Sequence, residues 1–179
     1  MIKLINEEDI PSIKPRTIFF DANILISLFF LTNPNDHTYK GYSRIFNKLL
    51  NQGNKLAIDV IVVSEVVNRA LRMEYHNYLS KYNIDRNKEP FKYFRNKKEG
   101  KDAINRTRTM MCDVILPQFN IIEKKWGKFE LEDLLTRDGD FNDQLIANLC
   151  KENSYILLTD DADFIDSDTE ILSLNKNYA

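Results

Sequence analysis

Residues 17–30 read TIFFDANILISLFF. An apolar run climbs to Asp21, and a second apolar run follows at once. Asp21 is the one charge in the stretch. A lone carboxylate in such surroundings is costly to bury unless something pairs with it. The carboxyl end of a buried parallel strand resolves the conflict, because open α/β sheets hold their ligands in the crevice there. Residues 17–20 therefore read as a first strand, Asp21 as its tip, and 23–30 as the helix that follows. Asn23 can cap that helix, and so can Asp21. The cap and the ligand readings of Asp21 are separated by whether later strands end in the same way.

Working outward, the alternation of strands and helices continues. Residues 1–16 form a lead-in arm punctuated by Pro11 and Pro15, and 32–37 (TNPNDH) is loop chemistry. Residues 38–51 place Tyr42, Ile45, Phe46, Leu49 and Leu50 at helical spacing, and Gly53 is a stop signal. A strand over 56–60 leads into a helix over 64–79, with Asp59 and Ser64 both available as its cap. Residues 82–100 form an excursion that is basic, poor in aliphatics and laced with Phe91, Tyr93 and Phe94. A helix over 101–116 stops at Pro117. A short strand follows over 119–122, then a helix over 131–136, a turn at Asp138–Gly139 and a helix over 141–151. Tyr155 to Leu158 is a buried strand that runs into TDDADF, and 171–174 is a last strand. This order predicts an α/β fold with a central parallel sheet and helices on both faces.

At 179 residues the chain reads as one domain, an arm over 1–16 and a body over 17–179. A net charge of −2 makes no case by itself for a nucleic-acid partner. Two cysteines, Cys112 and Cys150, fit a reducing compartment, and with His37 and His76 they make a poor zinc set. Acids at Glu7, Glu8 and Asp9 stand where a basic leader would begin, and the run around Asp21 is too short to span a bilayer. The expectation is a soluble cytoplasmic protein with no membrane partner.

Three strand ends then compare. The first ends in Asp21, the second is followed within its helix by Glu65, and Tyr155–Leu158 runs into Thr159, Asp160, Asp161 and Asp163. In a parallel sheet all carboxyl ends share one edge. Asp140 and Asp143 open the helix that leads into the last of these strands, so its first turn lies over the same edge. Four or more carboxylates in one crevice raise each other's pKa. A hard divalent cation with oxygen ligands, Mg²⁺ or Mn²⁺, removes that conflict. Each acid also has a plainer reading: Asp140 as a helix cap, Asp160 as an exposed turn residue, Glu65 as a solvated helix residue, Asp161 and Asp163 as an Asx-type turn. The recurrence at equivalent topological points favours the shared site.

The segments FFDANIL, VVSEVVNR, DFNDQLIANLC and YILLTDDADF, in that order, resemble the PIN domain family of metal-dependent nucleases, which includes the ribonuclease toxins of bacterial toxin–antitoxin pairs. The resemblance covers roughly residues 17–174. It implies a three-layer sandwich. It also implies that Asp21, Glu65, Asp143 and Asp161 take the four acidic positions, that Thr159 is the hydroxyl residue ahead of the last acid, and that Asp163 with Phe164 is the common Asp-Phe pair. The segment 82–100 is longer than compact members carry. The expected reaction is hydrolysis of an RNA phosphodiester, leaving a 5′-phosphate. Asp21, Asp143, Asp161 and Asp163 would hold the metal, Glu65 would complete the cage, and Asn23 and Thr159 would support it by hydrogen bonds. An antitoxin protein covering the crevice and a homodimer follow from the same resemblance.

Charge layout bears on the substrate. Residues 81–108 hold ten Lys and Arg against four acids, whereas 130–170 hold two against thirteen. A basic, aromatic-laced segment beside a metal site suits single-stranded RNA, with Lys88, Lys92, Arg95, Lys97 and Lys98 on the phosphates. A solvated loop or a patch for a protein partner explains the same charge. Tyr75, Tyr78 and Tyr82 read as helix packing. Three rival functions compete with the nuclease reading. A haloacid-dehalogenase-type phosphatase needs an acid two residues after Asp21, where Asn23 stands. An EF-hand loop from Asp138 fails at Asp143 and Leu149. A non-catalytic PIN-like binding module is the remaining alternative.

Overall fold

The apolar runs become the inner strands of one parallel sheet. A computed structural model of the chain describes residues 3–13, 15–31 and 37–178. The strands are β1 (Lys3–Ile5), β2 (Thr17–Phe20), β3 (Lys55–Ile58), β4 (Asn120–Ile121), β5 (Ile156–Leu158) and β6 (Glu170–Leu172). They pair in the order β1-β6-β5-β2-β3-β4, all parallel. The α-helices are α1 (Ala22–Phe29), α2 (His37–Asn51), α3 (Val60–Tyr82), α4 (Phe91–Asn96), α5 (Lys98–Thr109), α6 (Lys128–Leu135) and α7 (Phe141–Asn153). The loop expected over 32–37 falls, His37 apart, outside the described residues.

From β2 the chain steps outward to β3 and then β4, with α1 to α5 in the connections. It then returns across the sheet to β5 and β6 through α6 and α7. Right-handed crossovers put the first group on one face and the second on the other. The packing of α1 on α2 and α3, of α3 on α5, and of α6 on α7 agrees. The result is three layers. Strands covered on both faces need apolar residues throughout, and Ile18 to Phe20 and Ile156 to Leu158 are fully buried. The strand order reverses between β2 and β5, and that is where an α/β sheet opens its ligand crevice. Among the described residues no helix is long and apolar enough to cross a membrane.

Several boundaries differ from the sequence reading. The arm contributes a strand: β1 adds to the edge at β6, and a short 3₁₀ turn over Glu7–Ser12 follows it. Three residues are too few to show a period, and partners far along the chain make them a strand. Helix α3 starts at Val60, because Asp59 accepts a hydrogen bond from Val62 N at 2.9 Å and caps it. Helix α5 starts at Lys98, and its line continues through a wider π-turn over Met110–Ile115 before Pro117 ends it.

The excursion over 82–100 is built into the protein by a second apolar cluster. Phe94 of α4 and Ala103 of α5 pack with Leu71, Tyr75, Tyr78 and Leu79 on the far half of α3. Tyr75 donates its hydroxyl hydrogen to Glu89 O at 2.5 Å. Gly100 lets α5 press on the preceding turn, since a Cβ there would sit 2.1 Å from Phe94 O. Tyr75 and Tyr78 are packing residues, as their helical spacing suggests, whereas Tyr82 and Tyr93 stay exposed.

Candidate active site

The crevice is assembled from four ends. Asp21 terminates β2 and caps α1, its carboxylate accepting from Ala22 N at 2.5 Å. The cap reading is therefore met by the same side chain that ends the strand. Thr159 follows β5, is fully buried, and donates its hydroxyl hydrogen to Asp21 Oδ2 at 2.7 Å. Asn23 Nδ2 donates to Thr159 Oγ1 at 3.2 Å, and Asp161 N donates to the same oxygen at 3.0 Å. Asp160 N donates to Asn23 Oδ1 at 3.3 Å. These bonds lock the end of β2 to the loop after β5, and Asp161 is turned into the crevice by a short segment rather than by a helix. Asp161 Oδ1 accepts from Asp163 N at 3.1 Å and caps the 3₁₀ turn Ala162–Asp166, the Asx arrangement its sequence suggests.

Glu65 comes from the second turn of α3 and Asp143 from the first turn of α7, and both helices start at the same sheet edge. Asp140 caps α7 by accepting from Asn142 N at 2.8 Å. The acids act on one another. Burial, then the nearby charges of Glu65 and Asp161, pushes Asp21 up to about 6 against the hydrogen bonds that favour its charged form. Burial, with Asp21, Asp140, Asp161 and Glu65 behind it, pushes Asp143 up to about 7. Burial and Asp140, Asp161 and Asp59 raise Glu65, while Arg69 opposes them. Asp21, Glu65, Asp143 and Asp161 therefore share one electrostatic neighbourhood. Among the described residues, no three or more His, Cys, Asp or Glu side chains stand close enough together to hold a metal ion. Carboxylates that repel each other are expected to keep apart until a cation draws them in. Asp163 is exposed and lines a groove of about 440 Å³ with Asp143 and Phe164, beside the crevice.

Two expectations are corrected. Asp160 is not an exposed turn residue: it is half-buried and its Oδ1 accepts the Tyr42 hydroxyl at 2.7 Å. The basic segment does not lie beside the acids. Lys97 bonds Tyr78 and Glu89, and Tyr78 is thirteen residues beyond Glu65 on α3, roughly 20 Å along the axis. Lys88, Lys92 and Lys98 are exposed on that distant lobe, and Arg95 lies over the ring of Phe91.

Three supporting residues were missed by the sequence. Tyr42, in helical register with core residues, buries its ring and uses its hydroxyl as a node: it also accepts from Leu174 N at 3.1 Å. Asn175 Nδ2 donates to Asp160 O at 2.6 Å, and Tyr178 donates to Asp161 O. Burial and the charges of Asp161, Asp21, Asp163 and Asp143 push the Tyr178 phenol up, so it stays a neutral donor beside the acids. Nothing local in LNKNY signals this role. Tyr42→Phe is expected to cost about 1–3 kcal/mol, because it strands buried partners. A lowered melting temperature with unchanged secondary structure in circular dichroism would be the sign.

Residues 18–169 match the family model described as PIN domain. The chain belongs to the PIN domain family. No curated protein matches it in sequence. The fold recurs in VapBC2 from Rickettsia felis, solved bound to a DNA fragment from its promoter. There the identity is 19%, the TM-score 0.51, and the match covers 89% of this chain and 99% of that one. It also recurs in FitAcB from Neisseria gonorrhoeae, at 14% identity and a TM-score of 0.53, covering 87% of this chain and 96% of that one. At such identities the two share the fold of this PIN domain.

Proposed function

We propose that this PIN domain is a metal-dependent endoribonuclease, with one catalytic domain built on the six-stranded sheet. What supports the reading is that Asp21, Glu65, Asp143 and Asp161, carried by four elements around the sheet's switch point, lie near enough for their charges to act on one another. Oxygen-only donors with several negative charges fit Mg²⁺ or Mn²⁺ and suit neither zinc nor copper. When bound, such a cation polarises the scissile phosphate and lowers the pKa of water. Asp21, Asp143 and Asp161 would hold it, with Asp163 as a further ligand at the exposed side and Glu65 closing the set. Thr159 and Asn23 orient Asp21 and the loop carrying Asp161, so the ligands meet the substrate with little reorganisation. The family resemblance supports a role as the toxin of a toxin–antitoxin pair, active in the cytoplasm as a homodimer and silenced by an antitoxin protein over the crevice.

The test is incubation of the purified protein with end-labelled single-stranded RNA and DNA, with Mg²⁺, Mn²⁺ or chelator. Metal-dependent RNA cleavage leaving 5′-phosphates is the expected result. Intact RNA under every condition would favour a non-catalytic binding module, and a covalent aspartyl-phosphate would favour the phosphatase chemistry.

A further inference from the structure

Glu65, Arg69 and Arg72 stand at i, i+4 and i+7 on α3 and so share one face of that helix. The face begins at the acidic crevice, where Arg69 opposes the upward push on Glu65. One turn further, the Arg72 guanidinium lies 5.3 Å from the centroid of the Phe91 ring. Arg95, one turn beyond Phe91 on α4, lies over the same ring at 5.9 Å. The ring itself is fixed edge-on against Tyr75, centroid to centroid 5.3 Å. Two other cations of this lobe are neutralised: Lys97 pairs with Glu89 and Arg106 with Glu74, each at 2.7 Å. Arg69, Arg72 and Arg95 are exposed and, among the described residues, none of the three pairs with a carboxylate.

We propose that this stripe, Arg69–Arg72–Phe91–Arg95, is the track on which a single-stranded RNA lies as it enters the crevice. The inference rests on the nuclease reading of the site to which the track leads. Guanidinium groups bind phosphate through two parallel N–H donors, and guanidinium planes and rings stack unpaired bases. The span from Glu65 to Arg72 is roughly 10 Å along the helix, with Phe91 and Arg95 continuing it, enough for a few nucleotides. Uncompensated positive charge along this path offsets the repulsion that the acidic crevice presents to any polyanion. The stripe also accounts for the excursion: α4 is held on α3 by the second apolar cluster, and that packing sets Phe91 and Arg95 in line with Arg69 and Arg72.

The test uses the full chain carrying Asp21→Asn, so that the RNA stays intact and binding is read independently of cleavage. The probe is a short unstructured fluorescent RNA, titrated at several salt concentrations. Arg69→Gln/Arg72→Gln/Arg95→Gln is expected to weaken binding tenfold or more. It is also expected to reduce the slope of log K against log salt by roughly 2, at about 0.7 per phosphate contact. Arg69→Gln alone, which touches no ring, is expected to take away roughly a third of that slope, at about 0.7 for one contact, and guards against a packing defect in the triple. Lys40→Gln/Lys125→Gln/Lys128→Gln removes the same charge from other elements and is expected to change both quantities little. Equal losses in the two triples, or undiminished RNA binding in the first, overturn the proposal. So does binding of poly-glutamate as tight as RNA and lost in the same variant, which would make the stripe a contact for an acidic protein. Absence of cleavage by the wild type would sink the nuclease reading while leaving this binding result to be read by itself.

Discussion

Asp21→Asn is expected to abolish RNA cleavage and, in the same protein, to raise the melting temperature at pH 8. The two effects have one cause. Asp21 is 5% exposed and is charged at pH 8 against its surroundings, since burial and the acids nearby push its pKa to about 6. Asparagine keeps the shape and the side-chain oxygen that caps α1 through Ala22 N. It removes the buried charge and with it the repulsion from Glu65 and Asp161. The gain is on the order of 2–3 kcal/mol, two pKa units at about 1.4 kcal/mol each, offset in part by a poorer bond to Thr159. The loss of a cation ligand removes several kcal/mol of transition-state stabilisation, about 10³-fold or more in rate. Single-turnover cleavage and thermal melts on the same preparation decide it. Wild-type rates in this variant would end the assignment of the site. A large fall in melting temperature would show that the carboxylate serves the fold and not a ligand.

Acidifying the metal-free protein from pH 8 to about 5.5 should stabilise it, against the usual behaviour of carboxylates in ion pairs. The folded pKa of Asp21, about 6, lies above the ordinary value of 3.8, and that of Asp143, about 7, lies above it too. Between those limits the folded chain binds more protons than the unfolded one, so stability falls as pH rises and is regained as pH drops. Over this window Asp21 alone accounts for about 0.8 kcal/mol, or roughly 2–3 °C in a domain of this size; the rest of its shift is regained only below the window. Asp143 titrates more fully in the same window and acts in the same direction, its share discounted because it is half-exposed and screened. The protons belong to the coupled set rather than to single residues. Saturating Mg²⁺ or Mn²⁺ should reverse the trend, since protons and the cation compete for the same oxygens and ligand binding adds RT ln(1 + [L]/Kd). Melting temperatures over a pH series, with metal and with chelator, give both slopes. A metal-free protein that loses stability steadily from pH 8 to 5.5 would contradict the clustering of the acids.

The strand tips were legible because the energetic conflict is local. A carboxylate at the end of TIFF, and acids directly after YILL, announce a shared edge from the parallel pattern alone. Helix starts were less legible: Asp59 and Ser64 compete on equal terms in sequence, and only the bond to Val62 N separates them. The 82–100 segment looked like a departure from the core because its apolar residues are few. Phe94 and Ala103 find partners on α3 that no local period can reveal.

By itself, then, the amino-acid order determined the α/β layering, the ends of the central strands and which acids could meet. Apolar period and turn chemistry act over a few residues, and those are the ranges in which they carry information. Tertiary structure alone decided that Tyr42, Asn175 and Tyr178 hold the loop of Asp160 and Asp161. It alone set the basic lobe a helix length from the crevice and tied the two by Arg69 and Arg72. Those contacts join residues far apart in the chain, and their hydrogen bonds and charges exist only once the sheet has ordered the ends that carry them.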